Sequence, residues 1–228
     1  MSLSQLLTLW KHTPQIAENI AHWETIPART ARVTDLPRDL EPALVDALRA
    51  QGIHALYLHQ AQAWEYARTG RHVVIATGTA SGKTLGYYLP ILDHLLRHPD
   101  SRALYLFPTK ALAQDQLQQL SKLQISDQQS PNHPIIQLPN YPIALYDGDT
   151  PRTHRPAIRE NARIILSNPD MMHLGILPYH TSWVKFFRNL QFIVIDEMHT
   201  YRGVFGSHVA NVLRLINRIA AFYGAAPQ

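Results

Sequence analysis

The sequence contains no cysteine. Disulfides, thiolate zinc sites, iron–sulfur clusters and a cysteine nucleophile are excluded with it. Charge is scarce too: 17% of the 228 residues are Asp, Glu, Lys or Arg, against about 25% in an average soluble domain. That excludes a chain held open by its own charge. No apolar run approaches the roughly 18 residues of a membrane helix. Leu6-Leu7 and Leu9-Trp10 near the start have no basic segment before them and make a poor signal peptide. These absences predict a soluble chain in a reducing compartment, the cytoplasm.

Hydrophobic residues make up 46% of the chain. That length and composition suit one large domain or two small ones. Lys and Arg number 21 against 17 Asp and Glu, a net charge of +4. Such a balance is compatible with nucleic acid but does not argue for it alone.

Ser2 and Gln5 have capping-box spacing, and Leu3, Leu6, Leu7 and Trp10 share one helical face. Thr13-Pro14 restarts the pattern, with Ile16, Ile20 and Trp23 at helical spacing. Prolines break the stretch from Ile26 to Pro37, and a third helix is predicted over Leu40 to Ala50, ended by Gly52. Residues 1–53 therefore read as a helical N-terminal extension. From His54 onward strands and helices alternate. The predicted strands are Val73–Ala76, Ala103–Phe107, Ile143–Tyr146, Ile164–Leu166 and Phe192–Ile195. The predicted helices are Lys83–Leu96, Thr109–Leu120, Pro151–Asn161, one from Pro169 and one from Gly206-Ser207 to Gly224. This alternation predicts an α/β fold with a mostly parallel sheet covered by helices on both faces. Ser121 to Asn140, with three prolines, reads as a surface insertion.

Two motifs carry chemistry. Ala76-Thr77-Gly78-Thr79-Ala80-Ser81-Gly82-Lys83-Thr84 follows a predicted strand and opens a predicted helix. Small residues there let backbone N–H groups turn toward a triphosphate, and the helix N-terminus adds its positive end. Lys83 can reach the β- and γ-phosphates, and the Thr84 hydroxyl can ligate Mg²⁺. The strict phosphate-loop pattern is not met, because Thr77 stands at its first glycine. The plainer reading is a glycine-capped turn with an exposed lysine. The second motif, Phe192-Ile193-Val194-Ile195-Asp196-Glu197-Met198-His199, delivers two carboxylates to the end of an apolar strand. Asp196 would hold the metal and Glu197 would polarise the attacking water. Taken alone, Asp-Glu after a strand is a solvated turn.

The pair resembles the superfamily 2 helicases, with Asp196-Glu197-Met198-His199 as a DExH box. Gln60 matches the glutamine that reads adenine in many members. Pro108-Thr109-Lys110-Ala111-Leu112 resembles motif Ia, and Asn168-Pro169-Asp170 resembles motif Ib. Tyr146-Asp147-Gly148-Asp149 lies where a glycine-containing motif often sits between them. The strings 76–83 and 196–214 resemble the YprA-type (mitomycin-repair) bacterial DNA helicases and their RecQ4-like eukaryotic relatives, over about residues 26–228. The resemblance implies a RecA-like P-loop NTPase lobe over residues 54–228. ATP would be the nucleotide and Mg²⁺ the cofactor, with Thr84 and Asp196 as metal ligands. It implies 3′→5′ translocation on single-stranded or partly duplex DNA in DNA repair. It also implies a Ser-Ala-Thr segment after Gln228 and a second RecA-like lobe with an arginine finger, so the chain reads as the first lobe of a larger protein.

Thr109, Lys110, Gly148 and Asn168 are candidates for phosphates of a nucleic-acid strand, through backbone N–H groups, hydroxyls and one cation. Each can equally be a helix cap, which uses the same groups. Tyr201 and Arg202 are candidates for base stacking that reports to Glu197, whereas Phe205 reads as a core anchor. Arg214 and Arg218 read as a solvated helix edge. The 13 histidines are scattered and suggest no zinc site. A small-molecule P-loop kinase is the competing enzyme class, and the motif Ia and Ib matches count against it.

Overall fold

The structure is a computed structural model that describes residues 2–27, 30–78, 81–123 and 143–228. Thr79, Ala80 and most of the predicted insertion lie outside the described residues. Two compact units divide the chain, Met1–Arg32 and Val33–Gln228.

The first unit holds α1 (Leu3–His12) and α2 (Pro14–Ala17). The predicted capping box forms: the Ser2 N–H donates to Gln5 Oε1 (2.9 Å), and the Gln5 N–H donates to Ser2 Oγ (3.3 Å). The second helix stops after one turn, well short of Trp23. Ile16 and Trp23 both stay exposed, and a short helix without a buried face has little to hold it.

The second unit starts at Val33, ahead of the expected boundary at 53/54. β1 (Val33–Asp35) pairs antiparallel with β2 (Ala55–Tyr57). Between them α3 (Pro42–Ala50) buries Leu44 and Leu48 in the same core as the sheet, which is why it belongs here and not to the extension. α4 (Leu58–Arg68) and α5 (Lys83–Arg97) follow, then β3 (Arg102–Leu106), α6 (Lys110–Lys122), β4 (Ile143–Leu145), α7 (Arg155–Asn161) and β5 (Ile164–Ser167). α8 (Pro169–Met171) continues through a π turn and a 3₁₀ segment to Trp183. α9 (Val184–Arg188), β6 (Leu190–Ile195) and α10 (Gly203–Phe222) complete the chain.

Among the described residues the main sheet has the order β4-β5-β3-β6, all parallel. The strands alternate between two cores, as side chains of period two must. Ala103, Tyr105, Ile164 and Leu166 face the cluster that contains Leu44, Leu48, Trp64 and Leu89. Leu104, Leu106 and Ile165 face Trp183, Phe186, Phe187 and Ile216. Both faces are therefore dry, the arrangement a parallel sheet needs.

Two expectations shift. Val73–Ala76 forms no strand; it lines, with β6, a cavity of about 640 Å³. At the start of β6 that edge is taken by Gln228, whose N–H donates to the Gln191 carbonyl (2.8 Å) and whose carbonyl accepts from the Ile193 N–H (2.9 Å). The last helix begins at Gly203, three residues before the predicted start. Its predicted stop holds: Gly224 takes φ +88, and the Ala225 N–H returns to the Ala220 carbonyl (2.9 Å).

Candidate active site

Every sequence motif after β3 leaves the C-terminal end of a strand. Thr109 and Lys110 follow β3, Asp147 to Asp149 follow β4, Asn168 follows β5, and Asp196-Glu197 close β6. In open α/β sheets that edge is where ligands bind. The strand order sets the layout: the acidic pair lies at the β6 side, and the other three loops lie side by side beyond it.

The loop ahead of α5 reaches the same place. Thr77, Lys83, Asp196, Glu197 and His199 all line the cavity between residues 72–77 and β6. Gly82 caps α5 in the left-handed region (φ +73), and a Cβ there would meet Gln60 Nε2 at 2.7 Å. Only glycine accommodates both. Gln60 is buried. Its Nε2 donates to the Gly82 carbonyl (2.8 Å), and its Oε1 accepts from the Tyr57 N–H (2.9 Å). One amide proton and one carbonyl lone pair remain unused by these bonds, enough for a donor–acceptor edge such as that of adenine. Thr77 and Ser81 share a hydroxyl–hydroxyl bond of 2.7 Å that closes the loop on itself. Gly78 is exposed.

The acidic pair is held from several sides. Asp196 Oδ1 accepts the Glu197 N–H (2.8 Å), and Oδ2 accepts the Tyr87 hydroxyl (3.1 Å). Glu197 takes φ +48 and ψ +41, a left-handed conformation no other described non-glycine residue adopts. Such a backbone costs about 1–2 kcal/mol and points to a constraint on the side chain's direction. The Glu197 carbonyl accepts both the N–H (2.9 Å) and the hydroxyl (2.8 Å) of Thr200, and its carboxylate meets His199 Nδ1 at 3.1 Å. Sequence reasoning missed Tyr87, although its spacing of three from Thr84 puts both on one helical face. Burial, and after it the Asp196 carboxylate, push the Tyr87 phenol far above its ordinary range, so it stays a donor.

Among the described residues no three His, Asp or Glu side chains gather as a cation site. One hydroxyl and one carboxylate, Thr84 and Asp196, are what the chain offers. That set fits a magnesium ion that takes its remaining oxygens from phosphates and water.

Thr109 and Asn168 are helix caps: Thr109 Oγ1 accepts the Leu112 N–H (3.3 Å), and Asn168 Oδ1 accepts the Met171 N–H (2.8 Å). Lys110 Nζ lies 2.6 Å from Asp149 Oδ2, with Gly148 beside it. Asp147 Oδ1 collects the N–H groups of Asp149 (2.9 Å) and Thr150 (3.1 Å), which fixes this turn against α6. Tyr201 turns its hydroxyl inward, where it has no hydrogen-bond partner among the described residues, and burial and then Asp196 push its pKa up. Phe205 departs from the core reading: it is 38% exposed and packs on the Tyr201 ring. Arg202 is the exposed N-cap of α10.

Comparison with known proteins meets this geometry. The DEAD/DEAH box helicase family matches residues 57–227. The chain is 47% identical over 210 residues to an uncharacterized ATP-dependent helicase, YprA, of Bacillus subtilis, covering 92% of this chain and 27% of that protein. It is 42% identical over 223 residues to the ATP-dependent helicase HRQ1 of Saccharomyces cerevisiae, covering 97% of this chain and 20% of that protein. The crystal structure of the DUF1998 helicase MrfA bound to DNA and AMPPNP superposes with a TM-score of 0.86 at 44% identity, over all of this chain and 30% of that one. The chain thus spans under a third of the length of each of these relatives. With the phosphate loop and the Asp-Glu-Met-His box on one cavity, and a family match that runs from Tyr57 almost to the last residue, the chain belongs to the DEAD/DEAH-box helicases.

Proposed function

We propose that residues 54–228, with 33–53 built onto them, form the ATP-binding lobe of an ATP-dependent DNA helicase. The observation that carries this reading is the shared cavity: Lys83 and the pair Asp196-Glu197 line one space of about 640 Å³ at the C-terminal edge of the sheet. The phosphate loop would wrap the triphosphate, with Lys83 neutralising its outer phosphates. Bound magnesium would draw charge from the phosphate oxygens, with Thr84 and Asp196 as its protein ligands. Glu197 would accept a proton from water as the water oxygen attacks the γ-phosphorus and the bond to ADP breaks. Gln60 would read the adenine edge. Thr109, Lys110, Gly148 and Asn168 would hold strand phosphates without regard to base, and Tyr201 and Arg202 would carry the presence of DNA back to Glu197.

A DNA rather than RNA substrate, 3′→5′ movement and a repair role are proposed from the resemblance and from the MrfA–DNA complex. A second reading concerns this chain alone: it binds ATP and nucleic acid with little turnover. The share of its relatives' length that it spans favours this reading, because the resemblance implies a second lobe and an arginine finger. The test is ATP hydrolysis by a protein in which this chain is joined to a second lobe, with and without single-stranded DNA. Lys83→Ala and Glu197→Gln should each lower turnover at least about a hundredfold, and Glu197→Gln should still bind nucleotide. Brisk hydrolysis by either variant contradicts the assignment.

A further inference from the structure

We infer that Tyr87 is a positioning residue of the nucleotide site: its phenol fixes the carboxylate of Asp196, one of the two side chains that would hold magnesium, before the metal arrives. The inference rests on the reading of Thr84 and Asp196 as magnesium ligands. Its own observations are independent of any motif. The Tyr87 hydroxyl donates to Asp196 Oδ2 at 3.1 Å. The other Asp196 oxygen is engaged by the Glu197 N–H at 2.8 Å. Both carboxylate oxygens are thus oriented, one by the backbone of the acidic box and one by a side chain of α5.

The ring has no freedom to wander. It packs edge-on to Tyr88 (5.0 Å between centroids) and tilted against Tyr105 (5.8 Å). Tyr105 is wholly buried on β3, so the phenol is braced by the middle of the sheet. Of these three tyrosines, only Tyr87 lines the cavity shared with Lys83 and Asp196. Tyr88 spends its hydroxyl on Gln116 (2.6 Å to Oε1). A phenol can donate, and here Tyr87 gives its proton to Asp196 in a hydrogen bond. A carboxylate held in one orientation loses less freedom when it engages a cation.

The test is binding of a fluorescent ATP analogue to the 228-residue chain across a magnesium titration and in EDTA, for the wild type, Tyr87→Phe and Tyr88→Phe. Tyr87→Phe removes one oxygen and keeps the ring packing. It should raise the magnesium concentration for half-maximal binding by about three- to tenfold, the net worth of one typical hydrogen bond, and leave binding in EDTA unchanged. Tyr88→Phe should leave both unchanged. Equal losses with and without magnesium, a matching effect of Tyr88→Phe, or no change in Tyr87→Phe would overturn the role of the phenol while the nucleotide site stands. A wild type whose binding ignores magnesium would overturn the site reading itself, and this inference with it.

Discussion

At the residue scale, backbone shape says as much as side-chain identity. Glu197 occupies a left-handed conformation that most residues avoid, and four hydrogen bonds and ion contacts around residues 196–200 hold it there. Gly206 shows the opposite economy, where absence of a side chain is the requirement. A Cβ there would lie 2.6 Å from the Tyr201 carbonyl oxygen, a backbone atom that cannot step aside without moving the loop behind the acidic box. Gly206→Ala should therefore cost about 1–3 kcal/mol of stability, read as a lower thermal midpoint. An unchanged midpoint would show that the loop after Thr200 yields freely. The first glycine position of the phosphate loop holds Thr77, and its hydroxyl bond to Ser81 gives that departure a structural use.

At the scale of elements, four parallel strands present four loops at one edge, and the order of the strands assigns them neighbours. The loop after β4 touches the start of α6 through Asp149 and Lys110. This pair is exposed and adds little to stability, but it occupies the one cation proposed for strand phosphates. Asp149→Asn should tighten binding of a labelled single strand, measured by anisotropy. Lys110→Ala should weaken it and reduce the salt slope by about one counterion. Identical salt slopes in all three proteins would remove Lys110 from the interface. α5 carries a different prediction. His94, on α5, stacks on His98 at 4.1 Å between ring centroids. Burial, then the like charge of His98 and of Arg163, hold its pKa below the ordinary value, with Asp93 opposing. The unfolded chain therefore binds this proton more readily. The stability tied to neutral His94 is complete above about pH 6.5 and is lost as pH falls through the lower folded value. His94→Gln should flatten the acid side of a stability–pH profile between those two values. An unaltered slope would show that other groups set it.

At the scale of the whole molecule, the alternation of apolar strands with helices was legible, and so was the edge on which the chemistry gathers. Ala103–Phe107 and Ile164–Leu166 were found within a residue or so because strands buried on both faces are written as unbroken apolar runs. Val73–Ala76 has the same composition and forms no strand, since pairing depends on a neighbour that local sequence cannot supply. The start of the compact unit differs from the expected 53/54 boundary for a related reason: α3 looks like the helices before it until Leu44 and Leu48 are seen against the sheet. In the site, Lys83, Asp196 and Glu197 stood out by motif. Tyr87 did not, because its role comes from a contact between α5 and β6 that are far apart in sequence. Thr109 and Asn168 can be read from the sequence as cap or contact, and both cap helices here.

The central claim is that the phosphate loop and the acidic box serve one magnesium nucleotide. A crystal structure of this chain grown with magnesium and a non-hydrolysable ATP analogue tests it most directly. The account predicts the triphosphate in the cavity between residues 72–77 and β6, with the Lys83 ammonium within about 3 Å of a terminal phosphate oxygen and Asp196 facing the metal. A nucleotide bound elsewhere on the chain, or one seated there with Lys83 or Asp196 turned away from its phosphates, would contradict it.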